Sequence, residues 1–155
     1  EEWRADVVTR SPIMEEKLAQ AHMVAGTDAR VLITGEGGVG KKLLARAIHR
    51  ASARRGGSFV VLSCVELAET QLESDLFGYE NGALAGSARS HRGLLEAAEG
   101  GTVVLEEVAA LPMALQAKLV RALQEGRVHP AGSAESQPMN ARVMATTRHD
   151  LTQLM

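Results

Sequence analysis

Gly35, Gly40 and Lys41 stand at the spacing of a phosphate-binding loop. The stretch Gly35-Glu36-Gly37-Gly38-Val39-Gly40-Lys41 follows the apolar run Val31-Leu32-Ile33 and opens an amphipathic segment through Lys42, Leu43 and Leu44. Glycines let successive backbone N–H groups curl around an anion with no Cβ in the way, and the N-terminus of a following helix adds donors and a favourable dipole. A lysine at position 41 can then reach the β- and γ-phosphates of a nucleotide. The general pattern ends in Ser or Thr, whose hydroxyl binds Mg²⁺; here Lys42 occupies that position and reads as a solvated lysine on the helix surface. An ordinary tight strand-to-helix turn would also accept these glycines; the strand–turn–helix context favours nucleotide binding.

Other reactive side chains offer less. His22, His49, His91, His129 and His149 show no metal-ligand spacing and read as surface or loop residues. Arg89, His91 and Arg92 could meet phosphate, but a solvated loop is the simpler reading. Cys64, the single cysteine, follows an apolar run and is expected to be an inert core thiol; with no partner for a disulfide, it suits a reducing compartment.

The elements that must position the loop follow from periodicity and punctuation. Ser11-Pro12 marks a helix start with Glu15 and Glu16 in its first turn, and Gly26 suits its end. Strands are expected at Arg30–Thr34, Ser58–Ser63, Thr102–Leu105 (running into Glu106-Glu107) and Arg142–Thr146. Helices are expected from Lys41 to about Arg54, over Glu69–Phe77, over Gly93–Glu99 and from Pro112 to near Gly126. The segments 78–92 and 126–137 read as loops, the first of a length that is usually functional or disordered. Apolar strands alternating with helices predict a parallel sheet covered on both faces.

Composition sets the outer bounds. The 155 residues make one domain or a piece of a larger protein; 45% are hydrophobic and only 3% aromatic, so a core must rest on Leu, Val, Ile, Ala and Met. A net charge of −2 carries no electrostatic footprint for nucleic acid. Neither a leader nor an apolar stretch near membrane-spanning length is visible, so a cytoplasmic protein without a membrane partner is expected.

Several stretches, in order, resemble the bacterial enhancer-binding proteins, AAA+ ATPases that activate sigma-54 RNA polymerase. Gly35–Lys41 with Leu44-Ala45-Arg46-Ala47-Ile48-His49 resembles their Walker A segment. Leu72–Gly78, Gly100-Gly101-Thr102, Leu115–Leu119 and Arg121–Glu125 continue the match, and Ala145-Thr146-Thr147-Arg148 resembles sensor I. The likeness spans about residues 6–155, and Val8–Pro12 is most similar to the GlrR/QseF-type response regulators of that class.

The resemblance implies a three-layer α/β AAA+ (P-loop NTPase) core with a mainly parallel sheet, binding ATP and Mg²⁺ through Val8, Gly35, Glu36, Gly37, Gly38, Val39, Gly40, Lys41, Lys42 and Leu43. Residues 1–10 would be a linker or the start of the domain, and 11–155 its N-terminal part. Glu107 would be the base that polarises the attacking water, Glu106 the Mg²⁺ carboxylate, Thr147 the sensor of the γ-phosphate, and Ser63 the partner of the catalytic glutamate. Residues Gly82, Ala83, Leu84, Ala85, Gly86 and Ser87 would form the loop that contacts sigma-54. The family also implies ring assembly, an upstream receiver domain and a separate DNA-binding domain. Its arginine fingers, fifth strand and helical lid lie downstream of sensor I, so the chain is expected to stop short of them. These residues alone are expected not to turn over ATP, and the first strand is expected to keep an unpaired edge.

Six positions depart from the family pattern, beginning with Lys42, where a base replaces the Glu that usually follows the Walker A lysine. Ser63 replaces Asn, Ala85 replaces the loop Thr beside Leu84 in place of Phe, Glu106 replaces Asp, and Thr147 replaces Asn. A longer carboxylate at 106 moves its oxygens by ~1.5 Å, and displacements of ~1 Å can slow phosphoryl transfer on the order of a hundredfold. Three readings therefore stand: an ATP-driven remodeller of RNA polymerase, a nucleotide-responsive module that no longer hydrolyses ATP efficiently or engages sigma-54, and a nucleotide-free scaffold.

Overall fold

The computed structural model describes residues 23–27, 30–34, 38–79, 91–132 and 135–148. Met23, Val24 and Ala25 close a helix whose expected start at Ser11-Pro12 lies outside the described residues, and Gly26 and Thr27 turn the chain into the sheet. The elements then run β1 (Val31–Thr34), α1 (Gly38–Ala51), β2 (Phe59–Ser63), α2 (Glu69–Phe77), β3 (Gly78–Tyr79), β4 (His91–Arg92), α3 (Leu94–Ala97), β5 (Thr102–Glu106), α4 (Met113–Glu125), β6 (Arg127–Val128), β7 (Gln137–Pro138) and β8 (Arg142–Thr147), with a 3₁₀ turn at Val108–Ala110.

β1, β8, β5 and β2 form one sheet in that order, with every pairing parallel. The order places β1 and β2, consecutive strands in the sequence, at opposite edges, with β8 and β5 between them. Val103, Val104 and Leu105 of β5 are at most 1% exposed, because a central strand covered on both faces has no solvent side. Their alternation sends them to different cores. Val104 and Met144 meet Ala45 and Ile48 of α1, together with Ile33 of β1. Val103, Leu105 and Val143 pack against Leu72, Leu76, Phe77, Leu95, Leu115 and Leu119 from α2, α3 and α4. Truncating one of these fully buried leucines to alanine costs about 2–5 kcal/mol.

The expected parallel α/β fold is thus present, and α2 has the expected bounds. α4 also runs as read, from Pro112 at its N-cap to Gly126, whose φ of 68° lets its N–H turn back to the Ala122 carbonyl at 2.8 Å. Four expectations need correction. α1 begins at Gly38, not Lys41, because its first turn is built from the glycine-rich segment itself. The stretch 78–92 is not loop throughout: Gly78–Tyr79 pairs antiparallel with His91–Arg92. Within 126–137, Arg127–Val128 likewise pairs with Gln137–Pro138. His49 is not a surface residue but is 5% exposed, on the face of α1 turned to the sheet.

Candidate functional site

The carboxyl ends of β1, β5 and β8 and the N-terminus of α1 meet at one edge of the sheet, where open parallel α/β sheets generally hold ligands. β1 ends at Thr34 and α1 opens at Gly38; Gly35, Glu36 and Gly37 between them lie outside the described residues. Val8 and residues 82–87 lie outside them too. Gly38, Val39 and Gly40 form the first turn of α1 by backbone. A Cβ at position 40 would meet no atom within 4 Å, so protein packing does not call for glycine there. Glycine in a helix is unfavourable by about 1 kcal/mol.

Lys41 is 6% exposed, and its Nζ lies 3.5 Å from Glu107 Oε1. A buried ammonium is strongly disfavoured without such a partner. Glu107 also faces Arg148, whose Nε is 3.6 Å from Oε1 and whose backbone N–H points at Oε2 at 3.5 Å. The Glu107 backbone is left-handed, with φ 58° and ψ 57°, and is the one non-glycine residue of positive φ among the described residues. Such a conformation is held at a cost of order 1–3 kcal/mol and gathers at functional sites. Thr146 Oγ1 accepts the Glu107 N–H at 3.4 Å and helps hold the turn.

Glu106 ends β5 opposite Ser63 and Thr146 on the flanking strands. Its Oε2 lies 3.5 Å from Lys42 Nζ, the two side chains being 30% and 47% exposed. Lys42 is therefore not simply a solvated lysine: it reaches from α1 across to β5. Leu43 beside it is half-buried. Thr147 ends β8 next to Thr34 and is fully buried. Ser63 accepts the Val65 N–H at 3.4 Å, a bond within its own turn.

The structure thus gathers Lys41, Lys42, Glu106 and Glu107 directly, with Thr147 at the neighbouring strand end. Sequence reasoning missed Arg148 and Thr146, although both flank Thr147 in the stretch already singled out. Of the loop basic residues, Arg92 is exposed and pairs with Glu96 at 3.3 Å. His129 shares Glu125 with Arg121 on the surface; hydrogen bonds from Arg121 and then His129 hold the Glu125 carboxyl below its ordinary value. Cys64 is 3% exposed, and burial, then the charges of Glu106 and Glu107, push its thiol up to about 11, which leaves it protonated and unreactive as expected.

The donor chemistry fits a nucleotide carried with magnesium. The N-terminus of α1 and a buried lysine suit phosphate oxygens. No group of three or more His, Cys, Asp or Glu able to hold a metal occurs among the described residues; magnesium commonly enters such sites with phosphate oxygens and water alongside one or two carboxylates, and Glu106 is one that could serve. No helix among the described residues is long and apolar enough to cross a membrane.

Comparison with known proteins bears on the family and the fold. Residues 7–155 match the family model of the sigma-54 interaction domain. The chain is 46% identical over 155 residues to the transcriptional regulatory protein GlrR of Escherichia coli K12, covering all of this chain and 35% of that protein. The crystal structure of NtrX from Brucella abortus superposes with a TM-score of 0.85 at 32% identity, over 99% of this chain and 34% of NtrX. NtrX in complex with ATP superposes at 0.82 and 33% identity, over 96% of this chain and 31% of NtrX. The chain therefore spans about a third of the length of these relatives.

Proposed function

The chain belongs to the sigma-54 interaction domain family, and from that premise we propose that it binds ATP at the carboxyl edge of its sheet, in a regulator that couples ATP hydrolysis to remodelling of sigma-54 RNA polymerase. The observation that carries the proposal is Lys41, a cation buried to 6% exposure and restrained by Glu107 at 3.5 Å, in the first turns of α1. The ammonium can exchange one set of anionic oxygens for another. With phosphate on Lys41, Glu107 is released to orient a water and accept its proton. Gly35–Gly40 would supply backbone donors to the phosphates, and Val8 and Leu43 would border the nucleotide. Glu106 would hold the magnesium through water, and that ion supplies charge neutralisation between the phosphate oxygens. Buried Thr147 would report the terminal phosphate with a hydroxyl, and Ser63 would stand near the carboxylates without the reach of an amide.

The wider protein is proposed on family grounds to be a cytoplasmic response regulator that assembles into a ring, binds DNA through another domain and contacts sigma-54 through residues 82–87. A second reading is a module that binds nucleotide yet hydrolyses it poorly; the Lys42–Glu106 pair favours it, because that carboxylate is already engaged by a cation. Titration with a fluorescent ATP analogue is expected to give saturable binding that Lys41→Ala weakens at least tenfold, and absence of binding in the unchanged protein would overturn the proposal. Turnover by the whole regulator on the order of 1 s⁻¹ would remove the second reading as far as hydrolysis is concerned.

A further inference from the structure

One departure from the general phosphate-loop pattern and one from the family pattern meet in space. Position 42 carries an ammonium where the pattern places a hydroxyl on Mg²⁺. Position 106, at the end of the central strand β5, carries the longer of the two acidic side chains. Each arm alone would be displaced from a metal-binding geometry. Together they bridge the gap between α1 and β5, with Lys42 Nζ 3.5 Å from Glu106 Oε2.

We infer that Lys42 is a built-in cation at the metal position, which makes capture of a nucleoside triphosphate by this chain largely independent of Mg²⁺. The inference rests on the nucleotide-binding reading and adds to it the determinant of metal dependence. Its basis is local charge. Among the described residues, Lys41, Lys42 and Arg148 face Glu106 and Glu107, three cations against two carboxylates. A polyphosphate entering such a cluster meets net attraction. With a neutral residue at 42 the cluster would be balanced, and Glu106 would stand free beside the incoming negative charge, a juxtaposition that a divalent cation would have to relieve. Lys42 is 47% exposed and Glu106 30% exposed, so the pair contributes little to folding. Its side chain is therefore free to be replaced, and free to swing from carboxylate to phosphate.

The test measures affinity for a fluorescent ATP analogue with excess Mg²⁺ and with EDTA, in the unchanged protein and in Lys42→Met, which keeps an unbranched side chain one atom shorter and removes its charge. The unchanged protein is expected to bind with affinities that differ by less than about threefold between the two conditions. Lys42→Met is expected to bind about tenfold more tightly with Mg²⁺ than with EDTA, and Lys42→Arg to behave as the unchanged protein. The Mg²⁺-to-EDTA ratio is internal to each protein, so partial misfolding of a variant would not imitate the effect. If Lys42→Met shows the same ratio as the unchanged protein, or if the unchanged protein itself needs Mg²⁺ by tenfold or more, the inference is overturned while nucleotide binding stands. If the unchanged protein binds under neither condition, the functional reading falls, and this inference with it.

Discussion

The two ends of the central sheet are built on opposite principles. At the carboxyl end, formal charges face one another: Lys41 with Glu107, Arg148 with Glu107, Lys42 with Glu106, around a left-handed glutamate. At the amino end the polar groups are tied mainly to backbone. Arg54 donates to the carbonyls of Gly101 and Asn140, at 3.3 and 2.8 Å, and Arg142, 3% exposed, donates to the Val24 carbonyl at 3.1 Å. His49 meets Thr102 at 2.8 Å in a buried contact. Ion pairs exchange partners when a charged ligand arrives; carbonyl groups locked in turns have no comparable alternative. The difference separates the end that can respond from the end that anchors.

The sharpest way to break that distinction is to crowd the anchoring end. A Cβ on Gly101 would lie 2.5 Å from the Ser58 carbonyl oxygen and 2.7 Å from its nitrogen, and backbone cannot swing aside as a long side chain could. Overpacking of this kind costs typically 1–3 kcal/mol and occasionally more. Gly101→Ala is expected to lie at the top of that range, about 3 kcal/mol in urea unfolding, with added nucleotide raising its stability only by as much as it raises that of the unchanged protein. A loss below about 0.5 kcal/mol would mean that the amino end is as adaptable as the other.

The responsive end should behave differently. Glu107→Gln keeps the shape of the side chain and leaves the buried Lys41 ammonium facing a neutral amide. Without nucleotide this is expected to destabilise the fold by about 1–2 kcal/mol, since a charged partner has been lost but a hydrogen-bonding oxygen remains. With an ATP analogue the deficit should shrink, and binding should tighten severalfold, because Lys41 no longer has to leave a carboxylate. Unchanged affinity in Glu107→Gln would show that the lysine and glutamate do not compete with the ligand.

The same contrast explains what was legible in the sequence. The sheet could be read because buried parallel strands are continuous apolar runs, as at Val103-Val104-Leu105, and α4 because Pro112 and Gly126 punctuate it. Lys41 could be singled out because phosphate chemistry restricts residue types, and the two glutamates through the family resemblance. The pairing of Lys42 with Glu106 could not, since it depends on the distance between α1 and β5 and not on local spacing. Two-residue strands such as Gly78–Tyr79 and His91–Arg92 are too short to show alternation. His49 was misread although a signal existed: Ala45, Ile48, His49 and Ser52 fall at i, i+3, i+4 and i+7, and all four are buried. A polar side chain inside a buried stripe points to a specific partner, and Thr102 is that partner.

His49 supplies the smallest expected effect, and it probes the anchoring end by pH. Burial lowers the pKa of the imidazole from its ordinary 6.5, with Arg142, Arg46 and Arg50 acting in the same direction and a backbone hydrogen bond at Gly57 opposing them. The folded protein therefore binds fewer protons at this residue than the unfolded chain does. Stability has its full value above pH 6.5 and falls as the pH drops below it, where only the unfolded chain gains the proton. The fall levels off once the pH passes the lowered value and the folded imidazole is protonated as well. His49→Gln removes the titrating group while keeping polar atoms near Thr102, so its unfolding free energy should depend less on pH through this window. The difference between the two proteins in chemical denaturation across that range isolates His49, because every other titrating group is common to both. An identical slope in both would place His49 outside the linkage and leave its burial without an electrostatic consequence.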